Sequence, residues 1–132
     1  MSTPARPALV DAEARERARR DHGTSLVIEA GAGTGKTTLL IDRIEALLRA
    51  GTVRLDQIAA VTFTENAATT MTLRLRERLE KARLDPAAGD EERQRAAAAL
   101  ETIERAQIST IHALCAAILG ERPLECGVVP GF

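Results

Sequence analysis

Apolar residues in this 132-residue chain follow two rhythms, short unbroken runs and runs that recur every three or four positions. Leu26-Val27-Ile28 is an unbroken, partly β-branched run closed by glycine-rich sequence, and it predicts a short buried strand. Ile58-Ala59-Ala60-Val61-Thr62-Phe63 predicts a second strand, and Gln107 to Thr110 a short third. Between them the period is helical. Leu9 to Arg20 is built of helix formers. Thr37 to Leu48 carries Leu40, Ile41, Ile44, Leu47 and Leu48 at helical spacing and ends at Gly51. Ala67, Met71, Leu75 and Leu79 recur every four residues, so one face of that helix turns to a core; Asp85-Pro86 and Gly89 then break it. Glu91 to Arg105 resumes as an alanine-rich helix. Ile111, Leu114, Cys115, Ile118 and Leu119 predict a last amphipathic helix, stopped at Gly120. Strands separated by helices predict a parallel α/β sheet.

Residues 1–8, with Pro4 and Pro7, read as a loose lead-in. Residues 9–120 carry the periodic pattern of one domain. Residues 121–132, with Pro123, Gly127, Pro130 and Gly131, read as a loop that leads onward.

Composition narrows the core and the partners. Apolar residues make up 45% and charged residues 28%, the balance of a soluble globular protein. Aromatic residues are only 2%, so the core must be built from Ala, Leu, Ile and Val, and few rings are left to stack on bases. A net charge of −1 gives no overall field to draw in nucleic acid, so any such contact must be local. No apolar run approaches the roughly 18 residues of a membrane span, and the N-terminus lacks a signal pattern. Two cysteines, Cys115 and Cys126, are too few for a disulfide framework, and the default compartment is the reducing cytoplasm. Cys115 is expected to pack in its helix.

The chemistry concentrates where the first apolar run meets the helix after it. Ala30, Gly31, Ala32, Gly33, Thr34, Gly35, Lys36 and Thr37 form a phosphate-binding loop of the G-x-x-x-x-G-K-[ST] type, with Ala in the first glycine position. Small residues let backbone N–H groups curl around a phosphate without Cβ clashes. The helix that follows aims its first donors, through Thr38, and its dipole at the same anion. Lys36 supplies a flexible cation to the outer phosphates, and the Thr37 hydroxyl is placed for magnesium. Lys36 and Thr37 are therefore the candidate catalytic pair, with ATP and magnesium as the implied ligands. The loop does not name a reaction, because kinases, GTPases and helicases all use it.

Two further segments do. Val61-Thr62-Phe63-Thr64-Glu65-Asn66-Ala67-Ala68, followed by Met71, resembles the "T-F-T-N-K-A-A-x-x-M" segment of superfamily I DNA helicases. Ser109-Thr110-Ile111-His112-Ala113-Leu114-Cys115 resembles their "T-[FI]-H-S-x-C" segment. With the phosphate loop, their order is similar to the UvrD/Rep group, and most of all to its RecB/AddA-like helicase–nuclease branch. The resemblance covers about Leu9 to Phe132. It implies a P-loop NTPase fold of RecA-like, three-layer α/β/α architecture, present only in part, with single-stranded DNA along the strand ends. Thr62, Phe63, Thr64, Thr110 and His112 are the positions that match the family's DNA contacts. Hydroxyls and amides at strand ends suit phosphates, and the Phe63 ring suits a base; as a residue at a strand end, Phe63 is equally suited to a core. The arginines Arg74 and Arg78 with Lys81, and the cluster Arg15 to Arg20, read as solvated faces rather than DNA tracks.

The chain also departs from the family. Asp11-Ala12-Glu13-Ala14 has Ala where a "[ND]-x-x-Q" pattern puts an adenine-reading Gln, and Glu65-Asn66 replaces the usual "N-K". Hydrolysis needs a strand-end carboxylate, a group to orient water and an arginine, and no apolar run after the loop ends in Asp-Asp or Asp-Glu. The expectation is therefore the first part of an N-terminal motor domain of an ATP-dependent helicase active in repair or recombination. It would bind nucleotide with negligible turnover and would need a second RecA-like lobe and, in the helicase–nuclease branch, a partner protein. With its sheet incomplete, an exposed edge and self-association are expected. The competing readings are a self-standing nucleotide-binding module without turnover and a small P-loop kinase.

Overall fold

The computed structural model describes residues 12–29, 35–122, 124, 125 and 127. In chain order these form α1 (Ala12–Arg20), α2 (Lys36–Ala50), β1 (Ala59–Thr62), α3 (Glu65–Arg83), α4 (Asp90–Thr102), β2 (Gln107–Thr110) and α5 (Ile111–Glu121), with single 3-10 turns at Leu55–Gln57 and Ile103–Arg105. The two strands are parallel, and Ala59, Ala60, Val61 and Thr62 lie opposite Gln107, Ile108, Ser109 and Thr110. A parallel pair requires a crossover, here supplied by α3 and α4. The result is a mixed helix–strand unit with a small parallel sheet, an incomplete α/β fold.

The core lies between α2, α3 and α4, with β1 at its margin. Ile41, Ile44 and Leu48 from α2 meet Met71, Leu75, Leu79 and Ala82 from α3 and Ala96 and Ala99 from α4, closed by Leu55, Ala60 and Ile103. The four-residue period of α3 puts Met71, Leu75 and Leu79 on one buried stripe, while Ala67 faces solvent and Ala68 joins the stripe. Leu75 and Leu79 are 0% exposed. The core is wholly aliphatic, as the composition requires. Small Ala96 and Ala99 let α4 approach α3 closely.

Helix ends follow local chemistry. Gly51 closes α2 at φ 72°, in the left-handed region, and its N–H donates to the carbonyls of Leu47 and Leu48. Asp85 accepts from the Ala87 N–H at 2.9 Å, forming the turn that separates α3 from α4. A chain of ion pairs ties three helices together outside the core. Arg78 of α3 bonds Asp42 and Glu45 of α2, and Glu45 also meets Arg49 at 3.2 Å. Arg49 then reaches Glu92 of α4 at 2.8 Å and Asp85 at 3.6 Å. Burial opposes charge on Arg78, but the bonds from Asp42 and Glu45 outweigh it and raise its pKa. Arg49 is raised chiefly by its bond to Glu92, against burial and with help from Glu45.

Three expectations need correction. Leu26, Val27 and Ile28 form no strand: residues 25–29 have no regular structure, and Val27 is 92% exposed. A strand is stable only with a neighbour to complete its ladder, and the described sheet contains β1 and β2 alone. Leu40 points outward, since the buried stripe of α2 runs through Leu39, Ile41, Ile44 and Leu48. Finally, α5 buries none of its residues, and Ile111, Cys115 and Ile118 are all exposed. Its apolar face has the right period, but no layer among the described residues covers it. The three-layer sandwich is thus not complete among those residues. Among them, too, no helix is long and apolar enough to cross a membrane.

Candidate functional site

Of the phosphate-loop residues, Ala30, Gly31, Ala32, Gly33 and Thr34 lie outside the described residues. Gly35, Lys36, Thr37 and Thr38 lie within them, at the start of α2. Gly35 is the residue before the helix, at φ 83° and ψ 29°, a left-handed conformation that a side chain would strain. Its carbonyl accepts the Leu39 N–H at 2.9 Å, the first bond of the helix. The amides of Lys36, Thr37 and Thr38 precede that bond, and among the described residues no side chain caps this N-terminus. Lys36, Thr37 and Thr38 are all exposed.

The other two helices that begin near the strands are built differently. Thr64 caps α3, its hydroxyl oxygen accepting from the Ala67 N–H at 3.1 Å. Thr110 caps α5 in the same way, accepting from Ala113 at 3.2 Å. So α3 and α5 each carry their own oxygen at the N-terminus, while α2 starts on a glycine, with no side-chain cap among the described residues. A helix start of that kind, with a lysine as its first residue, fits a polyphosphate. Thr37, next to Lys36, presents an exposed hydroxyl at the same helix start. The described residues hold no group of three or more His, Cys, Asp or Glu fit to hold a metal. A cleft of about 1070 Å³ opens beside this helix start, between α1, residues 26–29 and α2; Glu13, Arg17 and Asp21 line one wall, and Gly35, Lys36 and Leu39 the other.

The five strand-end positions come together at one edge of the sheet. Thr62 and Thr110 are register partners at the carboxyl ends of β1 and β2, the edge at which parallel α/β sheets receive ligands. The Thr62 hydroxyl donates to the Thr64 carbonyl at 3.0 Å and lies 3.4 Å from the Ser109 carbonyl, which pins the two strand ends to each other. A capping hydroxyl accepts with its oxygen and keeps its hydrogen to donate, so Thr64 and Thr110 each retain one donor. Phe63 stands between Thr62 and Thr64, 95% exposed. That decides between its two sequence readings: the ring is not in the core. His112 is exposed in the first turn of α5.

The basic stretches behave as solvated or structural faces. Arg78 is engaged by Asp42 and Glu45, Arg17 pairs with Asp21, and Arg19 and Arg20 pair with Glu16. Sequence reasoning misses the Arg78–Glu45–Arg49–Glu92 chain, because Arg78 and Glu45 are 33 residues apart, Arg49 and Glu92 are 43 apart, and only packing joins them.

Residues 11–131 match the UvrD/REP helicase N-terminal domain. The chain is 38% identical over 119 residues to an ATP-dependent helicase/nuclease subunit of Ligilactobacillus salivarius (strain UCC118), covering 90% of this chain and 9% of that protein. It is 31% identical over 135 residues to the protein of the same name from Staphylococcus aureus (strain MRSA252), covering all of this chain and 11% of that one. With the Syntrophomonas wolfei subsp. wolfei (strain DSM 2245B / Goettingen) protein of that name, identity is 37% over 122 residues, 89% of this chain and 9% of the relative. The chain thus spans about a tenth of the length of these relatives. On the match over residues 11–131, it belongs to the UvrD/REP helicase N-terminal domain family.

Proposed function

We propose that this chain is the nucleotide-binding part of the first RecA-like motor domain of an ATP-dependent DNA helicase of the helicase–nuclease type. Residues 9–120 make up that part, and residues 121–132 lead toward an inserted domain. The observation that carries the reading is the start of α2, where left-handed Gly35 leads into the amides of Lys36 to Thr38 and no side chain among the described residues caps them. Ala30 to Thr38 wrap the triphosphate, Lys36 balances the charge of its outer phosphates, and Thr37 is a ligand of magnesium. Bound magnesium supplies a Lewis acid that offsets phosphate charge.

Thr62, Phe63, Thr64, Thr110 and His112 hold single-stranded DNA at the strand ends. Hydroxyl donors meet phosphate oxygens, and the exposed ring offers a stacking surface of about 1–3 kcal/mol per base. Nothing at this edge reads base edges, so binding is independent of sequence. ATP-driven translocation then requires a second RecA-like lobe, and the word "subunit" in the relatives' names supports a protein partner. Because no apolar run after the phosphate loop ends in an acidic pair, these 132 residues bind nucleotide without turning it over. The test is phosphate release from ATP with and without single-stranded DNA. Background rates in both are expected, and DNA-stimulated release by this chain alone would refute the proposal.

A further inference from the structure

Along the sequence Arg15, Arg17, Arg19 and Arg20 form one basic cluster, but α1 sends them to different places. Arg17 pairs with Asp21, and Arg19 and Arg20 pair with Glu16, all within one turn of each other. Arg15 is half-buried and faces α2. Ala18 is the buried residue of α1, and Arg43 of α2 donates to its carbonyl at 2.6 Å. Arg15 lies three residues before Ala18, on the same face of the helix. From there its Nη1 comes within 3.6 Å of the place a Cβ on Gly35 would take. Gly35 is the left-handed residue from which the amides of Lys36, Thr37 and Thr38 follow. Arg15 and Lys36 thus border one cleft from two elements, beside the same helix start. Glu13 and Glu29 line that cleft as well, so a second cation there also offsets their repulsion of an anion.

We infer that Arg15 is a second phosphate-binding residue of the nucleotide site, gripping the polyphosphate from α1 while Lys36 holds it from α2. The inference rests on the phosphate-loop reading proposed above. A guanidinium presents a planar fork of donors that matches two phosphate oxygens at once, whereas an ammonium is a mobile point charge. The two side chains therefore do different work: Lys36 follows the charge, and Arg15 fixes where the phosphates sit. Arg15 serves the phosphates rather than the base because its Nη1 lies at Gly35, where the row of helix-start amides begins. The bond from Arg43 to the Ala18 carbonyl holds α1 in place beforehand, so little ordering is left for the nucleotide to bring about. Affinity gained in this way is the same whichever base the nucleotide carries.

The experiment titrates fluorescent ATP and fluorescent GTP, each with magnesium, into wild type, Arg15→Ala, Arg15→Lys and Lys36→Ala at low and at raised salt. Arg15→Ala is expected to weaken both nucleotides by the same factor, about tenfold, the worth of a charge-assisted contact. Its binding should also depend less on salt than that of wild type, because one cation facing the phosphates is gone. Arg15→Lys keeps the charge without the fork and should recover part of the loss. Arg15 lies outside the buried core, so the alanine variant should melt like wild type. If it melts lower, Arg15→Gln, which keeps most of the length without the charge, takes its place. A role confined to holding α1 on α2 would leave the salt dependence unaltered, and that result overturns the inference. Loss for ATP alone overturns it too, since Arg15 would then read the base. Binding weakened by Lys36→Ala but not by the Arg15 variants overturns the inference and leaves the phosphate-loop reading standing. Binding unaffected by either residue, or no binding by wild type, overturns both.

Discussion

Thr62 and Thr110 face each other in the last register pair of the sheet, yet the chain leaves them differently. Thr110 is itself the cap of α5. On β1 the cap comes two residues later, at Thr64, so Phe63 is carried past the last register pair and ends 95% exposed. The exposed ring is a consequence of where the caps fall.

The caps therefore have a structural effect that can be separated from any ligand. Thr64→Ala and Thr110→Ala should each destabilise the fold by about 1 kcal/mol in chemical denaturation, and Ser at either position should restore most of it. Unchanged stability in both alanine variants would mean that the hydroxyls do not hold the helix starts.

Gly51 makes a second prediction. A Cβ there would sit 2.7 Å from Nε and 2.9 Å from Cζ of Arg95, in a backbone conformation at φ 72°. Gly51→Ala should cost about 1–2 kcal/mol from the left-handed backbone, plus the displacement of Arg95. Arg95 Nη1 also donates to the Arg49 carbonyl at 2.9 Å, so moving it loosens the end of α2. Combining Gly51→Ala with Arg95→Ala should relieve the crowding and leave the backbone cost. Thermal melts of the two single variants and the double variant would measure both parts.

The arginine chain gives a pH prediction. Arg49 and Arg78 both have raised pKa values in the folded protein. Their contribution is fully present below the unfolded arginine pKa, itself far above neutrality, and is lost only as pH rises through the still higher folded value. Stability should thus show no arginine-linked loss between neutrality and about pH 11. Salt should matter more. Arg49→Ala should cost about 1 kcal/mol at low ionic strength and less as salt rises, because these partly exposed pairs are screened. A cost independent of salt in denaturation series would count against the ion pairs.

Much of this fold is legible in the sequence. Periodicity or helix-forming composition locates the five helices among the described residues, and the stripe of Met71, Leu75 and Leu79 is where a four-residue repeat puts it. Gly51 and the Asp85-Pro86 break mark real helix ends. Burial is harder to read wherever it depends on something outside the periodic segment. Leu26-Val27-Ile28 has the composition of a strand but no ladder neighbour, and α5 has an apolar face with nothing over it among the described residues. The sequence patterns bring Thr62 and Thr110 to notice separately; only the parallel register shows that they are opposite each other. Most of the phosphate loop, Ala30 to Thr34, lies outside the described residues, so that site rests on its sequence and on the start of α2.

The central claim is that the start of α2 holds a triphosphate, and fluorescent ATP titrated with magnesium against wild type and Lys36→Ala tests it most directly. Because Lys36 lies outside the buried core, the variant should melt like wild type. The account predicts weak but measurable binding by wild type and a loss of about tenfold or more in the variant, the worth of a charge-assisted contact. Equal affinity in the two proteins, with both shown to be folded, would contradict it.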